Sequence, residues 1–158
     1  MILFEEKYEW KRVDTKTDVE FRFHCPEGIE ELQITFSFTP DALYDEEACA
    51  PMIEEAVEQY YAGRDRDGQK MRVSSMCPLK NLVTLSLSRE GKYVGNAHRW
   101  SGNQYHVLTR RKVSTGFTAP ENLTGWWEGM LHLHAICTDS CRGKVKVEGR
   151  MTDEMVSG

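Results

Sequence analysis

The stretch Glu31–Thr39, with the sequence ELQITFSFT, decides the fold class of this chain. Its apolar residues recur at every second position, as Leu32, Ile34, Phe36 and Phe38, and the residues between them are polar. Successive side chains of a β-strand point to opposite faces of its sheet. A period of two therefore predicts a strand that is buried on one face and wet on the other.

Five other segments repeat this alternation. The residues predicted to face inward are Phe4, Tyr8 and Trp10; Val19, Phe21, Phe23 and Cys25; Val83, Leu85 and Leu87; Leu131, Leu133, Ala135 and Cys137; and Val145 and Val147. Turn residues separate some of these segments, at 25–28 and 89–91. Six half-buried strands joined by short turns predict an all-β fold of two packed antiparallel sheets, a jelly-roll-like β-sandwich.

One segment has helical spacing instead. Between Asp45 and Gly63 the apolar residues recur at intervals of three and four. Because proline is tolerated only near the start of a helix, Pro51 predicts that the helix begins near Ala50, and Gly63 lies where a helix would stop. We therefore predict one α-helix near residues 50–63, inserted into the sandwich.

The length of 158 residues fits a single domain, predicted to span residues 1–150. Residues 151–158 carry no pattern and are predicted to form a flexible tail. A net charge of -5 argues against a nucleic-acid partner, which requires a basic face. No apolar run approaches the ~20 residues that cross a bilayer, so no membrane association is expected. The sequence opens without the features of a signal peptide.

The five cysteines are an odd number in a domain large enough to fold without cross-links. This favours reduced thiols and a cytoplasmic location. Cys137 and Cys141 have a spacing seen in zinc sites, but no second pair accompanies them. Buried or turn thiols are the favoured interpretation of this pair, and a disulfide across the turn is the alternative that the sequence leaves open.

His132 and His134 are two positions apart on a predicted strand and therefore share a face, as paired metal ligands often do. A metal site needs three or four ligands. The favoured interpretation places both rings on the wet face of the strand. No metal and no cofactor are predicted, and a metal site built on these two residues is kept as the alternative.

A loop rich in glycine carries His98, Arg99 and Trp100, with His106 close by. Arginine and aromatic side chains can hold an anion or a sugar through bidentate hydrogen bonds and ring stacking. Of the pair at 126–127, one indole is expected to point outward, and we add Trp127 to the candidate set. These five residues are the predicted ligand-binding site.

Three segments together resemble a known domain: FHCPEGIEELQITFSF (23–38), NLVTLSLSREGKYVGNAHRW (81–100) and STGFTAPENLTGWWEGMLHLHAICTDSC (114–141). They are similar to the β-sandwich that precedes the catalytic barrel in a group of PHP-type metal-dependent phosphoesterases. The turn at 88–91 departs from the Asp-Pro-x-Gly pattern of that group, and we expect no catalytic barrel after the sandwich. The resemblance implies a stand-alone accessory domain and transfers no metal ligand.

These observations favour a non-catalytic binding or accessory module, whose ligand is carbohydrate-like or whose partner is a separately encoded enzyme. One alternative is a small metal-dependent hydrolase related to the PHP phosphoesterases, using His132 and His134 with His24, His98 or His106. A second alternative is a structural domain that forms a homodimer through a strand edge or its helix.

Overall fold

The computed structural model describes residues 1–60, 77–97 and 101–151. The elements are, in chain order, β1 (Ile2–Lys11), a 3-10 turn (Arg12–Asp14), β2 (Thr17–Cys25), β3 (Ile29–Thr39), β4 (Ala42–Leu43), α1 (Glu46–Tyr60), β5 (Leu79–Lys80), β6 (Leu82–Arg89), β7 (Lys92–Ala97), β8 (Asn103–Leu108), β9 (Gly125–Ala135) and β10 (Ser140–Met151). No helix in these ranges is long and apolar enough to cross a membrane.

The strands form two four-stranded antiparallel sheets within the described residues, in the orders β1-β10-β3-β8 and β2-β9-β6-β7. The short strands β4 and β5 pair separately. If β4 and β5 are left out and the eight long strands are renumbered 1 to 8 in chain order, the two sheets have the orders 1-8-3-6 and 2-7-4-5. This is the strand order of a jelly roll. The predicted all-β sandwich is confirmed.

The core lies between the two sheets, and both contribute their alternate residues to it. Leu32, Ile34 and Phe36 of β3 are fully buried, as predicted from the period of two. The inward residues of β6 and β10 that the alternation predicted are also fully buried: Val83, Leu85, Leu87, Val145 and Val147. Burial of these aliphatic and aromatic side chains is the main favourable contribution to folding.

The turn between β6 and β7 consists of two residues, because Arg89 pairs with Lys92. Glu90 has a φ of 47° and Gly91 a φ of 77°. Two consecutive residues with positive φ form a type I′ turn, whose twist matches that of a β-hairpin. This turn was predicted from the sequence at 89–91.

The helix begins earlier than predicted. Asp45 caps its first turn, since its Oδ1 accepts a hydrogen bond of 3.0 Å from the backbone N–H of Glu47. The helix therefore starts at Glu46 and includes Pro51 in its interior, so the expected start near Ala50 is wrong. The predicted end at Gly63 lies outside the described residues.

The alternation of buried and exposed residues is interrupted after β9, which ends at Ala135. Ile136 is buried and Cys137 is partly exposed, the reverse of the prediction, because alternation holds only while the strand continues. Cys141 lies in β10 and is fully buried rather than closing a turn. All five cysteines are free, which resolves the disulfide alternative.

The last strand also runs further than expected. Arg150 and Met151 pair with Glu31 and Ile29 of β3, so β10 includes Met151, the first residue of the segment predicted as a tail. Residues 152–158 lie outside the part of the chain that the structure describes.

Candidate functional site

The outer face of the sheet β1-β10-β3-β8 is covered by opposite charges. Glu5 of β1 lies 3.9 Å from Lys144 and 4.0 Å from Lys146 of β10, and Lys146 also lies 3.4 Å from Glu148. Pairs of this kind between exposed side chains contribute little and form an ordinary solvated surface.

The outer face of the other sheet has a different character. We call it the β9 face, and it consists of the outward residues of three strands: Asp18, Glu20, Arg22 and His24 from β2; Trp126, Glu128, Met130, His132 and His134 from β9; and Thr84, Ser86 and Ser88 from β6. The register places these residues in cross-strand rows, for example His24 beside Trp126 and Ser86 beside Met130. Aromatic, imidazole, hydroxyl and charged groups therefore lie side by side.

Trp126 is the aromatic centre of one end of this face, and 48% of its surface is exposed. The guanidinium carbon of Arg22 lies 5.1 Å from the centre of the indole, within the range of a cation–π interaction. His24 contacts the same indole edge-on, with 5.1 Å between the ring centroids. The backbone N–H of Trp126 donates a hydrogen bond of 2.7 Å to Oε1 of Glu90, which fixes the start of β9.

A shallow polar groove of about 290 Å³ adjoins this cluster. Glu20, Arg22, Ser86, Ser88, Glu128 and Met130 line it, together with Phe21 and Gly129. Nε of Arg22 is 4.0 Å from Oε1 of Glu128, with both side chains more than half exposed. The groove therefore offers carboxylates, hydroxyls and one guanidinium to a ligand whose ring rests on Trp126.

The two histidines predicted as alternative metal ligands bind hydroxyl groups. His132 Nε2 is 2.9 Å from Ser86 Oγ, and His134 Nε2 is 2.8 Å from Thr84 Oγ1. Nδ1 of His132 lies 2.9 Å from Oδ1 of Asp18. Both ring nitrogens of His132 therefore have protein partners, and no group of three or more candidate ligands occurs among residues 1–60, 77–97 and 101–151.

The predicted ligand-binding residues are dispersed. His98, Arg99 and Trp100 lie outside the described residues. His106 points into the sandwich with 1% of its surface exposed, is hydrogen bonded to Gln104 at 3.0 Å, and meets the ring of Phe117 edge-on. His106 therefore packs in the core of the sandwich and not at its surface.

Trp127 is fully buried, so its place in the predicted surface site is wrong. Trp126 is the exposed indole of the pair. Nε1 of Trp127 donates a hydrogen bond of 2.8 Å to the carbonyl of Leu123, and its ring stacks on Phe23 at 5.9 Å between centroids. Every second residue of β9 faces the core, as Leu131 and Leu133 do. Trp127 lies an even number of residues before them and therefore also faces the core. Trp126 is therefore the outward residue.

Arg22, Trp126, Ser86 and Asp18 were not predicted from the sequence as members of one site. The alternation did place Arg22 and His24 on the wet side of β2 and Ser86 on that of β6. The missing information was the order and register of the strands, which brings three separate segments together.

No family model and no curated protein matches this chain. Among solved structures, one described as "CBM4 structure and function" is similar over 84% of this chain and 73% of that one, with 9% identity and a TM-score of 0.33. A crystal structure from Sulfurospirillum deleyianum is similar over 93% of this chain and 99% of that one, with 8% identity and a TM-score of 0.36. The resemblance to PHP-associated sandwich domains stays a prediction.

Proposed function

We propose that the chain is a binding module for a carbohydrate-like ligand, held on the β9 face with Trp126 as its stacking platform. The observation that carries the proposal is the half-exposed indole of Trp126 beside a polar groove. An indole presents a large, flat and amphipathic surface at low cost in conformational entropy, as a sugar ring requires.

The groups around the indole suit such a ligand. Glu20 and Glu128 can accept hydrogen bonds from sugar hydroxyls, and Ser88 can both donate and accept. Arg22 supplies a positive charge that would favour a sugar carrying a phosphate or carboxylate group. The outer face of the opposite sheet carries Lys–Glu pairs instead, and its exposed aromatic residue Tyr105 serves as the control below.

The PHP resemblance is compatible with this proposal, because it implies an accessory domain that works beside a separately encoded enzyme. The binding module would then supply ligand recognition and the enzyme the chemistry. This part of the proposal rests on the resemblance alone.

The test is a titration of the purified chain with a panel of neutral, acidic and phosphorylated sugars. Binding is measured by isothermal titration calorimetry and by tryptophan fluorescence. We expect binding that Trp126→Ala weakens tenfold or more, equivalent to about 1.4 kcal/mol. The matched control is Tyr105→Ala, which removes an aromatic residue that is 57% exposed on the opposite sheet and should leave the affinity unchanged.

A Trp100→Ala variant separates the β9 face from the site predicted from the sequence. Loss of binding in Trp100→Ala with full binding in Trp126→Ala would move the site to the 98–100 segment and overturn the proposal. Absence of any heat or fluorescence change across the whole panel would overturn it as well.

A further inference from the structure

The second end of the β9 face carries a hydrogen-bonded relay of three side chains from three strands. Oγ of Ser86 in β6 lies 2.9 Å from Nε2 of His132 in β9. Nδ1 of the same imidazole lies 2.9 Å from Oδ1 of Asp18 in β2. Asp18 pairs directly with His132 in the register, and Ser86 lies one row along from the Thr84–His132 pair. The antiparallel pairing of β2, β9 and β6 thus fixes the order hydroxyl, imidazole, carboxylate.

The partners determine which ring nitrogen carries the proton. A carboxylate oxygen can only accept, so Nδ1 of the neutral imidazole holds the hydrogen and donates it to Asp18. Nε2 then has a free electron pair and accepts the hydroxyl proton of Ser86. This is the tautomer in which an imidazole acts as a general base toward a serine hydroxyl.

We propose that Ser86, His132 and Asp18 form a nucleophilic triad that hydrolyses short-chain acyl esters. Ser86 and His132 are the catalytic residues, and Asp18 is a positioning residue that holds the imidazole in the required tautomer. The triad is recognised by the roles and geometry of its members rather than by their order along the chain. This inference does not depend on the ligand proposed for Trp126.

The reaction balances with water as the only co-substrate. Ser86 Oγ attacks the carbonyl carbon and forms a C–O bond while Nε2 of His132 takes the hydroxyl proton. The ester C–O bond breaks, and the alcohol leaves with that proton. Water then attacks the acyl-serine and gives a proton to Nε2, and the bond to Oγ breaks. A carboxylic acid is released and Ser86 recovers its proton from Nε2.

The surroundings of Ser86 define the substrate class. Ser86 lines the 290 Å³ groove, where Met130 is its direct cross-strand neighbour and offers an apolar contact to a small acyl group. Arg22 lines the same groove and provides the positive charge that can stabilise a developing oxyanion. The groove is shallow, so a short acyl chain such as acetyl fits this position better than a long one.

The neighbouring pair provides an internal control. Thr84 and His134 repeat the hydroxyl–imidazole contact at 2.8 Å in the next row of the same strands. The chain position that corresponds to Asp18 in that row is Lys16, whose backbone N–H bonds to Leu133. In that row a lysine therefore stands at the chain position that Asp18 has in the Ser86 row.

The experiment treats the full chain with a fluorophosphonate probe and, separately, with p-nitrophenyl acetate. Intact mass and peptide mapping should find the probe on Ser86, and the parent should hydrolyse the ester faster than Ser86→Ala by tenfold or more. Ser86→Cys keeps a nucleophile at the same position and should still be acylated. Thr84→Val removes a hydroxyl of the same strand that does not line the groove, and it should keep both activities.

Asp18 is tested by a readout specific to its positioning role. Nitrogen NMR should show the Nδ1-protonated tautomer of His132 in the parent and its loss in Asp18→Asn, together with slower ester hydrolysis. Probe attachment elsewhere, or equal hydrolysis by the parent and a folded Ser86→Ala variant, would overturn the triad. Labelling of Ser86 and ester hydrolysis are both measured without any sugar, so failure of the sugar-binding proposal is distinguishable from failure of this one.

Discussion

Asn81 donates a hydrogen bond of 3.0 Å from Nδ2 to Oγ1 of Thr138, and both residues are buried. The same amide nitrogen donates to the carbonyl of Pro40 at 3.0 Å, while Oδ1 accepts from the backbone N–H of Cys137 at 2.6 Å. The backbone N–H of Asn81 donates to Asp41. One side chain therefore ties the segment after β3 to the connection between β9 and β10.

Replacing Asn81 with alanine should lower the free energy of unfolding by about 2–4 kcal/mol, because it leaves the backbone N–H of Cys137 without its acceptor and removes a donor from the oxygens of Thr138 and Pro40. Urea denaturation measures the loss. Asn103→Ala is the matched control, since Asn103 is exposed, and it should stay within about 0.5 kcal/mol of the parent. A loss of less than about 0.5 kcal/mol for Asn81→Ala would show that water replaces these hydrogen bonds.

The adjacent tryptophans should respond in opposite ways to truncation. Trp127→Ala removes a fully buried ring and should cost about 3–5 kcal/mol of stability. Trp126→Ala removes a half-exposed ring and should cost less than about 1 kcal/mol, because most of its contact is with Arg22 and His24 at the surface. Thermal and urea unfolding check both variants. Similar losses of stability in the two variants would contradict the placement of Trp127 in the core and of Trp126 at the surface.

Local sequence was sufficient to predict the fold class, because side-chain alternation is a property of each strand by itself. Leu32, Ile34 and Phe36 needed no knowledge of their partners to be placed in the core. The same rule failed at Ile136 and Cys137, where the strand ends and the period of two no longer applies. The helix start was misplaced for a different reason, because the Asp45 cap outweighed the preference of proline for the first turn.

The candidate site could not be predicted in this way, because its members come from strands far apart in sequence. Asp18 and His132 meet across 114 residues, and Ser86 and His132 across 46. Such contacts depend on strand order and register, which alternation alone does not specify. The wet-face positions of Arg22, His24 and Ser86 were predictable individually, but their convergence was not.

Gly129 lies directly opposite Phe21, and the phenyl ring occupies the space where a Cβ atom would be. Gly129→Ala should therefore displace the ring of Phe21 from its stacked contact with Phe4 and lower the stability by about 1–3 kcal/mol. Glu128→Ala, one residue earlier and outward, should stay within about 0.5 kcal/mol.

A double variant tests the cause. If overlap with the ring is responsible, adding Phe21→Leu to Gly129→Ala should cost less than the sum of the two single changes. Strict additivity in urea denaturation would mean that the glycine acts through its backbone and not through the space it leaves for Phe21.

The buried thiols should make stability fall at alkaline pH. Burial raises the pKa of the Cys25 thiol from 9.0 to about 11, although Arg89 partly opposes this, and burial likewise raises the pKa of Cys141 to about 11. The unfolded chain loses these protons near its ordinary pKa while the folded chain keeps them. The free energy of unfolding is therefore fully retained below about pH 9 and declines as the pH rises toward about 11.

Urea denaturation under reducing conditions between pH 8 and about 11 measures this slope, and Cys25→Ala with Cys141→Ala should make it shallower. In the folded protein at pH 8, iodoacetamide should leave Cys25 and Cys141 unmodified, because the thiolate is the reactive form and both thiols are buried. In concentrated urea both should react. Rapid modification of either thiol in the folded chain would show that the edge of the sandwich opens to solvent, and the alkaline loss of stability should then be absent.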